Sequence, residues 1–433
     1  MPALIQQSRW DRLSGKLVSF KFVSDLGLRS ILFHLLINHS TNFSNQLIAM
    51  EISIPDEQLA MRDKVKQFVA EELEPISLKV EAEGRIPDQI VDKMRQLGLF
   101  GLSIPREYGG LGLSTLAEIM VYEELTKTNA SFRSRIGTSN SIGSMGILFD
   151  GTDDQKNTYL PRIAAGEWTA AFALTEPDAG SDAANIKCNA VLEGDHWVLN
   201  GTKQFITNGD CASVFTTIAV TDEQKRARGG FTAFIIEKDF AGFSVSLPDS
   251  KMGLKGSNTN EIVFKNCMVP RENVIGGMEM VGMGFKTAMR VLDKGRLTMG
   301  ACALGASQKL LDMCVAHIKH QFNSGKPKAD LQVAQFSLAD MATEIYAARQ
   351  MLHDTARLRD TGKNVTHEAS MVKLFCTEMA SRIAERAMDI FGDEGYLTQT
   401  QIEMFLRDVR LYRIFEGTSE IQRMVISRNL LRD

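Results

Sequence analysis

The strongest constraint in this sequence is a hydrophobic period that changes twice along the chain. From Asp56 onward apolar residues recur at helical spacing, with Met61, Val65, Phe68 and Val69 on one face. The segment "PDQIVDKMRQLGLFG" opens on Pro87, repeats apolar residues at Ile90, Val91, Met94 and Leu97, and meets Gly98 where a helix would end. Between Trp168 and Val281 the runs become short and are bounded by turn residues. "SVFTTIAV", "GFTAFIIEKD", "FSVSL" and "EIVFKNCMV" read as strands, and the Asn200-Gly201 pair inside "HWVLNGTKQFIT" predicts a hairpin turn. From Gly282 the helical pattern returns in two long amphipathic runs, Leu331–Leu352 and Thr366–Phe391. Helices cannot bury their apolar stripes inside a small sheet, so the expected fold is α+β and mainly helical. It would comprise an N-terminal helical domain (50–166), a small middle β domain (167–281) and a C-terminal four-helix bundle (282–433).

Residues 1–49 stand outside this pattern. They carry Arg9, Arg12, Lys16, Lys21 and Arg29 against Asp11 and Asp25, and "ILFHLLI" is too short to span a bilayer. Two readings stay open: a mitochondrial transit peptide, with a matrix location, or a start assigned upstream of a protein that begins near Met50 and is cytoplasmic in a bacterium. A net charge of −4 gives no general footprint for nucleic acid or for stable membrane insertion. The six cysteines are scattered without a CxxC pair, so buried free thiols are expected and a metal site is not. His317 and His320, three apart on a helix, read as a polar surface pair.

Three stretches can carry chemistry. "FALTEPDAGSD", Phe172–Asp182, offers hydroxyls and a closely approachable backbone to a flavin edge or a phosphate, and equally reads as a polar turn. "FGDEGYLTQTQIEMFLRDVRLY" is a helix–loop–helix with Gly392 and Gly395 at the break. In "RLYRIFEGTSEIQR", Ser419 and Gln422 have capping-box spacing, so a helix should begin near Glu420 with Glu416 just ahead of it. A helix N-terminus favours the carboxylate and burial opposes it, a combination that can bring a base toward neutrality. A plain capping acid is the other reading of the same residue. No GxGxxG and no GxxxxGK[ST] occurs, so any dinucleotide is held without a Rossmann turn.

Taken together, these stretches resemble the acyl-CoA dehydrogenase family. "ALTEPDAGSD" and "YRIFEGTSEIQR" match its signatures, and "ITNG", "MGLKGSNTNEIVF", "VPRENVIG", "GMGFKTAM", "LDKGR" and "QFSLADMATEIYAAR" lie between them in family order, from about Met50 to Asp433. The resemblance implies the three-part fold above, a homotetramer, FAD as cofactor and an electron-transfer flavoprotein as redox partner. It implies that Glu416 removes the α-proton of an acyl-CoA thioester while the β-hydrogen leaves as hydride, giving a trans-2-enoyl-CoA. The thioester carbonyl would be held by the Glu416 backbone N–H and a flavin ribityl hydroxyl. Phe172, Leu174, Thr175, Ser181, Phe205, Ile206 and Thr207 fall at flavin-lining positions, with Ser181 also near the CoA arm. Thr418 and Glu420 match cofactor contacts after the base, and Gly417, Asp293 and Arg296 lie on the substrate side. Some relatives carry their base in the "LDKGR" segment; here that position is Gly295, so Glu416 is expected to be the sole base.

The adenosine-side signatures depart from the pattern. Lys319, Gln321 and Phe322 of "KHQFNSGK" stand where an arginine-bearing motif is usual, and a lysine lacks the bidentate fork. Gln332 follows after a longer spacer. "DIFGDEG" has Asp389 in place of Gln and Asp393 in place of a second Gly, beside Gly392, and Asn185 replaces a small residue in the first signature. Arg133-Ser134 of "ASFRSRIGTSNSIG" resembles the Arg-Ser of glutaryl-CoA dehydrogenases, which hold a distal carboxylate. The substrate reading therefore has two branches, a plain short- or medium-chain acyl-CoA or an acyl-CoA with an acidic tail; a helix salt bridge is the structural alternative for Arg133. An oxidase of the same fold would be longer, and a DNA-associated member would need a basic C-terminal face.

Overall fold

The computed structural model describes residues 54–432, save 321, 324 and 325. The readings of residues 1–49 and of Gln321 therefore lie outside the described residues, as does that of the Phe322 side chain. Seven α-helices come first: α1 (Asp56–Phe68), α2 (Ser77–Glu83), α3 (Asp88–Gln96), α4 (Thr115–Leu125), α5 (Ser131–Asn140), α6 (Met145–Asp150) and α7 (Asp153–Ala164). Their ends follow local rules. Asp56 and Glu57 face the positive end of α1 and Lys66 its negative end. Gly98 takes the left-handed conformation just beyond α3, with φ 72°. Thr152 and Gln155 form a reciprocal capping box on α7.

The middle region is a seven-stranded sheet in the order β1-β4-β2-β3-β7-β6, with β5 paired to β4. Its strands are β1 (Ala170–Ala173), β2 (Asn189–Glu193), β3 (His196–Thr207), β4 (Val214–Val220), β5 (Phe231–Glu237), β6 (Phe243–Val245) and β7 (Thr259–Pro270). The hairpin expected at Asn200-Gly201 is not there. β3 runs straight through the pair, and the two-residue turn is Gly194-Asp195, between the paired residues Glu193 and His196. Asn200-Gly201 instead marks a register shift between β3 and β7. A Cβ at position 201 would lie 2.7 Å from the Cys188 Cα, so the glycine is needed for a close approach and not for a turn.

The chain then returns to helix: α8 (Gly284–His320), two short strands β8 (Phe322–Asn323) and β9 (Lys326–Pro327), α9 (Gln332–Asp360), α10 (Thr366–Phe391), α11 (Ile402–Tyr412) and α12 (Ser419–Leu430). α8 packs against α9 and α10, and also against α4. One apolar cluster consequently joins both helical parts, from Leu73, Met94 and Tyr122 through Leu297 and Leu304 to Met379 and Tyr412. The sheet has its own clusters, one of them shared with α7 through Tyr159, Leu160 and Ile163. All six cysteines are free; five are buried as expected, but Cys211 is exposed. His317 is not a surface group either. Its ring stacks on Phe391 with centroids 4.0 Å apart, at the end of α8.

Candidate active site

The Phe415–Thr418 turn links α11 to α12 in the left-handed region, with φ 54° at Glu416 and 91° at Gly417. A non-glycine residue held there is strained, and its surroundings must hold it. Those surroundings are specific. Thr418, not Ser419, is the N-cap: its hydroxyl accepts the Ile421 N–H. The Ser419 hydroxyl is drawn instead to Glu378 on α10, at 2.6 Å, and the Arg413 Nε donates to the same oxygen at 3.0 Å. Gln422, fully buried, does not close a capping box. Its Nε2 reaches the carbonyls of Glu416 and Gly417, at 3.3 and 2.9 Å.

The Glu416 carboxylate points at α8. A Cβ at Gly295 would lie 1.8 Å from its Oε2, so glycine at this position makes room for the acid. That Oε2 is buried without a hydrogen-bond partner, as are the Nε of Arg133 and the Nε of Arg296. Burial raises the carboxyl's pKa, while the charges of Arg133, Lys373 and Arg296 pull the other way. The opposition expected between burial and a favourable charge is present, but side chains supply the favourable part.

Each of those cations is held. Arg296 donates to Asp293 Oδ1 at 2.6 Å and to the Ser370 hydroxyl at 3.3 Å, and Thr366 secures the second Asp293 oxygen. Arg133, on α5, donates to Thr298 Oγ1 at 2.7 Å and lies over the Tyr122 ring, 5.0 Å from its centroid. It makes no salt bridge among the described residues, so a helix salt bridge is not its role. Ser134 bonds its hydroxyl back to the Ala130 carbonyl. Lys373 is completely buried on α10 and donates to the Gly417 carbonyl at 2.8 Å.

A second group of the sequence-selected residues lines the end of the sheet. The Gln204 N–H donates to the Thr175 carbonyl at 2.8 Å, and the Lys203 Nζ to that of Leu174 at 3.0 Å. Phe172, Leu174 and Thr175 are thus brought beside Phe205, Ile206 and Thr207. Phe205 adopts φ 58° at a register irregularity and is 59% exposed, whereas Ile206 is buried. Ser181 is exposed farther along the same loop. Asn208 connects this group to the first: its amide donates to the Ser134 carbonyl and to Thr138 Oγ1, at 3.1 and 2.8 Å. α5 is therefore the bridge, receiving Asn208 and sending Arg133 toward Glu416.

The remaining selected residues are elsewhere. Lys319 lies in the last turn of α8, Gln332 opens α9, and Asp389, Gly392 and Asp393 flank Phe391, whose ring stacks on His317, all five of them exposed. Lys319 is 24 residues from Gly295 on one helix, about 36 Å at 1.5 Å per residue. The structure does not bring this group to the Glu416 cluster within one chain. Exposed Glu420 follows Thr418 at the start of α12.

Sequence reasoning missed several residues. Glu176 and Lys203 form a buried ion pair at 2.7 Å, and the same carboxylate accepts the backbone N–H groups of Lys187 and Cys188. Lys294 and Glu118 form another, at 3.0 Å. Lys373 shares the buried face of α10 with Ala369, Cys376 and Ala380. A lysine at a core position of an amphipathic helix was the available signal.

Similarity to known proteins agrees with this geometry. The chain matches the acyl-CoA dehydrogenase N-terminal domain over residues 55–167, the middle domain over 171–267 and the C-terminal domain over 282–431. It is 39% identical over 378 residues to an acyl-CoA dehydrogenase of Bacillus subtilis, spanning 87% of this chain and 99% of that one. The solved butyryl-CoA dehydrogenase of Megasphaera elsdenii superposes with a TM-score of 0.85 at 35% identity, covering 88% of this chain and 100% of that one. An acyl-CoA dehydrogenase from Bacillus anthracis complexed with FAD gives 0.81 at 32% identity, covering 88% and 68%. The protein belongs to the acyl-CoA dehydrogenase family, FAD-dependent oxidoreductases acting on CH–CH donors.

Proposed function

We propose that this chain dehydrogenates an acyl-CoA thioester to its trans-2-enoyl-CoA with Glu416 as base, and passes the electrons to an electron-transfer flavoprotein. The observation that carries the reading is the Glu416 Oε2: buried, unpartnered and opposite Gly295, among three cations. A carboxylate so placed costs stability unless something occupies the space in front of it, and a C–H acid is what a base with a raised pKa can use.

The residues fit FAD. The Phe205 ring, exposed at the end of a strand beside Thr175 and Thr207, is an apolar surface that a flavin would cover. Phe172, Leu174, Thr175, Ser181, Phe205, Ile206 and Thr207 would hold its ring system, with Thr418 and Glu420 as contacts after the base. Bound FAD supplies the hydride acceptor. Glu416 accepts the α-proton and its backbone N–H orients the thioester carbonyl, while the charges of Arg133, Arg296 and Lys373 offset burial and favour the ionised carboxylate, the form that can take a proton. Lys319, at the C-terminal end of α8, would serve the cofactor of another protomer in a homotetramer, together with Gln321, Phe322, Gln332, Asp389, Gly392 and Asp393. Of the two locations, the bacterial cytoplasm is the one adopted in this reading.

A neutral acyl chain is the favoured substrate class, because Arg133 is already engaged by Thr298 and the Tyr122 ring and is attracted to Glu416. Anaerobic bleaching of the flavin band near ~450 nm with butyryl-, octanoyl-, isobutyryl- and glutaryl-CoA tests the reading; such reduction is the flavin's half of the reaction. Bleaching by neutral chains is expected. Bleaching by glutaryl-CoA alone would make Arg133 a carboxylate clamp. Glu416→Gln should keep FAD and bind acyl-CoA yet lose bleaching by about 10³-fold or more; retained bleaching removes Glu416 as the base.

A further inference from the structure

The Glu416 turn is strained, and beside the bonds it receives from its own following helix, through Gln422, it is restrained from α10. α10 presents three polar side chains along the side facing the base: Ser370 to Arg296, Lys373 to the Gly417 carbonyl, and Glu378 to Ser419 and Arg413. Two of these contacts hold surroundings of the turn. Lys373 holds the turn itself. Its ammonium is fully buried in a helix whose neighbouring positions pack into the common core, an unfavourable place for a charge unless the charge has a use. The Gly417 carbonyl gives it one hydrogen bond, and the same carbonyl receives Gln422 Nε2. A neutral donor already present means that the hydrogen bond alone does not require a lysine.

We infer that Lys373 is a positioning residue for the base: its ammonium clamps the Gly417 carbonyl, fixes the left-handed Glu416-Gly417 turn with the carboxylate opposite Gly295, and sets a positive charge beside that carboxylate. This rests on the reading of Glu416 as the base. Burial lowers the lysine's own pKa to about 8, with Glu416 the largest influence keeping it charged. Arg296 opposes that charge, and Glu378 and Glu420 support it. The cations that act on Glu416 are thus Arg133 from α5, Arg296 from α8 and Lys373 from α10; the Cys302 thiol of α8 also feels Glu416, but burial pushes it up to about 11, above the range of the test. Both arginines have other partners, Thr298 for the first and Asp293 with Ser370 for the second. Lys373 alone of the three bonds to the peptide backbone of the base's own turn.

The test is single-turnover flavin reduction by a saturating acyl-CoA, followed from pH 5.5 to 9 with Lys373→Gln and Lys373→Arg as FAD-bound holoenzymes. An opposite charge near a carboxylate commonly lowers its pKa by about 1–3 units. Lys373→Gln should therefore move the acidic limb of the profile upward by about one pH unit or more and slow reduction about 10- to 100-fold near pH 7. Lys373→Arg, which keeps the charge, should keep the limb near its original position. An unmoved limb in Lys373→Gln, whatever its rate, overturns the proposal, since removing a charge that acts on the carboxylate must move its titration. If the glutamine variant does not fold, the arginine variant decides: an acidic limb displaced despite the retained charge overturns the inference, and an undisplaced one supports it. Glu416→Gln separates the two readings. Retained reduction there defeats the base assignment itself, whereas its loss together with an unmoved Lys373→Gln profile defeats only the role of Lys373.

Discussion

Gly295→Ala should separate stability from catalysis at this site. The added Cβ would lie 1.8 Å from Glu416 Oε2 and 2.8 Å from its Cδ, with nothing else nearer than the other carboxylate oxygen at 3.5 Å. Ordinary contact needs about 3.4 Å or more between such atoms, so the oxygen must retreat by roughly 1.5 Å. The obstacle is the tip of a flexible side chain, which can turn away at little cost. Gly295 also lies inside α8, where alanine is favoured over glycine by about 0.5–1 kcal/mol. The protein should therefore unfold no more easily than before. A displacement of about 1 Å at a reacting group can cost 10²-fold, so the flavin reduction rate should fall by about 100-fold with FAD content unchanged. Urea unfolding read by tryptophan fluorescence, set beside anaerobic stopped-flow reduction, measures both quantities. A fully active Gly295→Ala would show that Glu416 does not work from the position opposite residue 295.

Two further outcomes rest on buried charges away from the base. Lys203→Met strands the Glu176 carboxylate at the root of the loop proposed to line the flavin, and breaking a buried ion pair from one side costs about 3–5 kcal/mol; a lower urea midpoint and reduced FAD retention are expected, and an unchanged midpoint would contradict the structural role of the pair. Asp408 is buried and accepts the Leu254 N–H at 2.6 Å, and burial pushes its pKa up from 3.8 to about 7. Because the folded value exceeds the unfolded one, the native state binds more protons between pH 4 and 7, so this group makes stability fall as pH rises through that window. Asp408→Asn keeps an acceptor and removes the titration: urea midpoints at pH 5 and pH 8 should converge relative to the parent, with the gain at pH 8, and an unaltered pH dependence would refute the assignment.

The sequence by itself determined the order of helices and strands, because a period of 3.6 sustained over Thr366–Phe391 and the near-alternation of "EIVFKNCMV" are different patterns. It marked the Glu416 turn as well, since the Glu416-Gly417 pair ahead of a helix start is a local pattern, although neighbouring contacts moved the cap from Ser419 to Thr418. Where two segments must meet, local signals failed. Asn200-Gly201 carries a turn signature, yet β7 pairs across it and Cys188 crowds it, so tertiary pairing made it a register shift inside a strand. The charges around Glu416 were equally hidden. Arg133, Arg296 and Lys373 come from three helices spread over 240 positions, and only packing α5, α8 and α10 around a shared core brings them to one carboxylate. A helix's period shows which face is buried but not what that face meets, so the place of Lys373 in the site was decided by the fold.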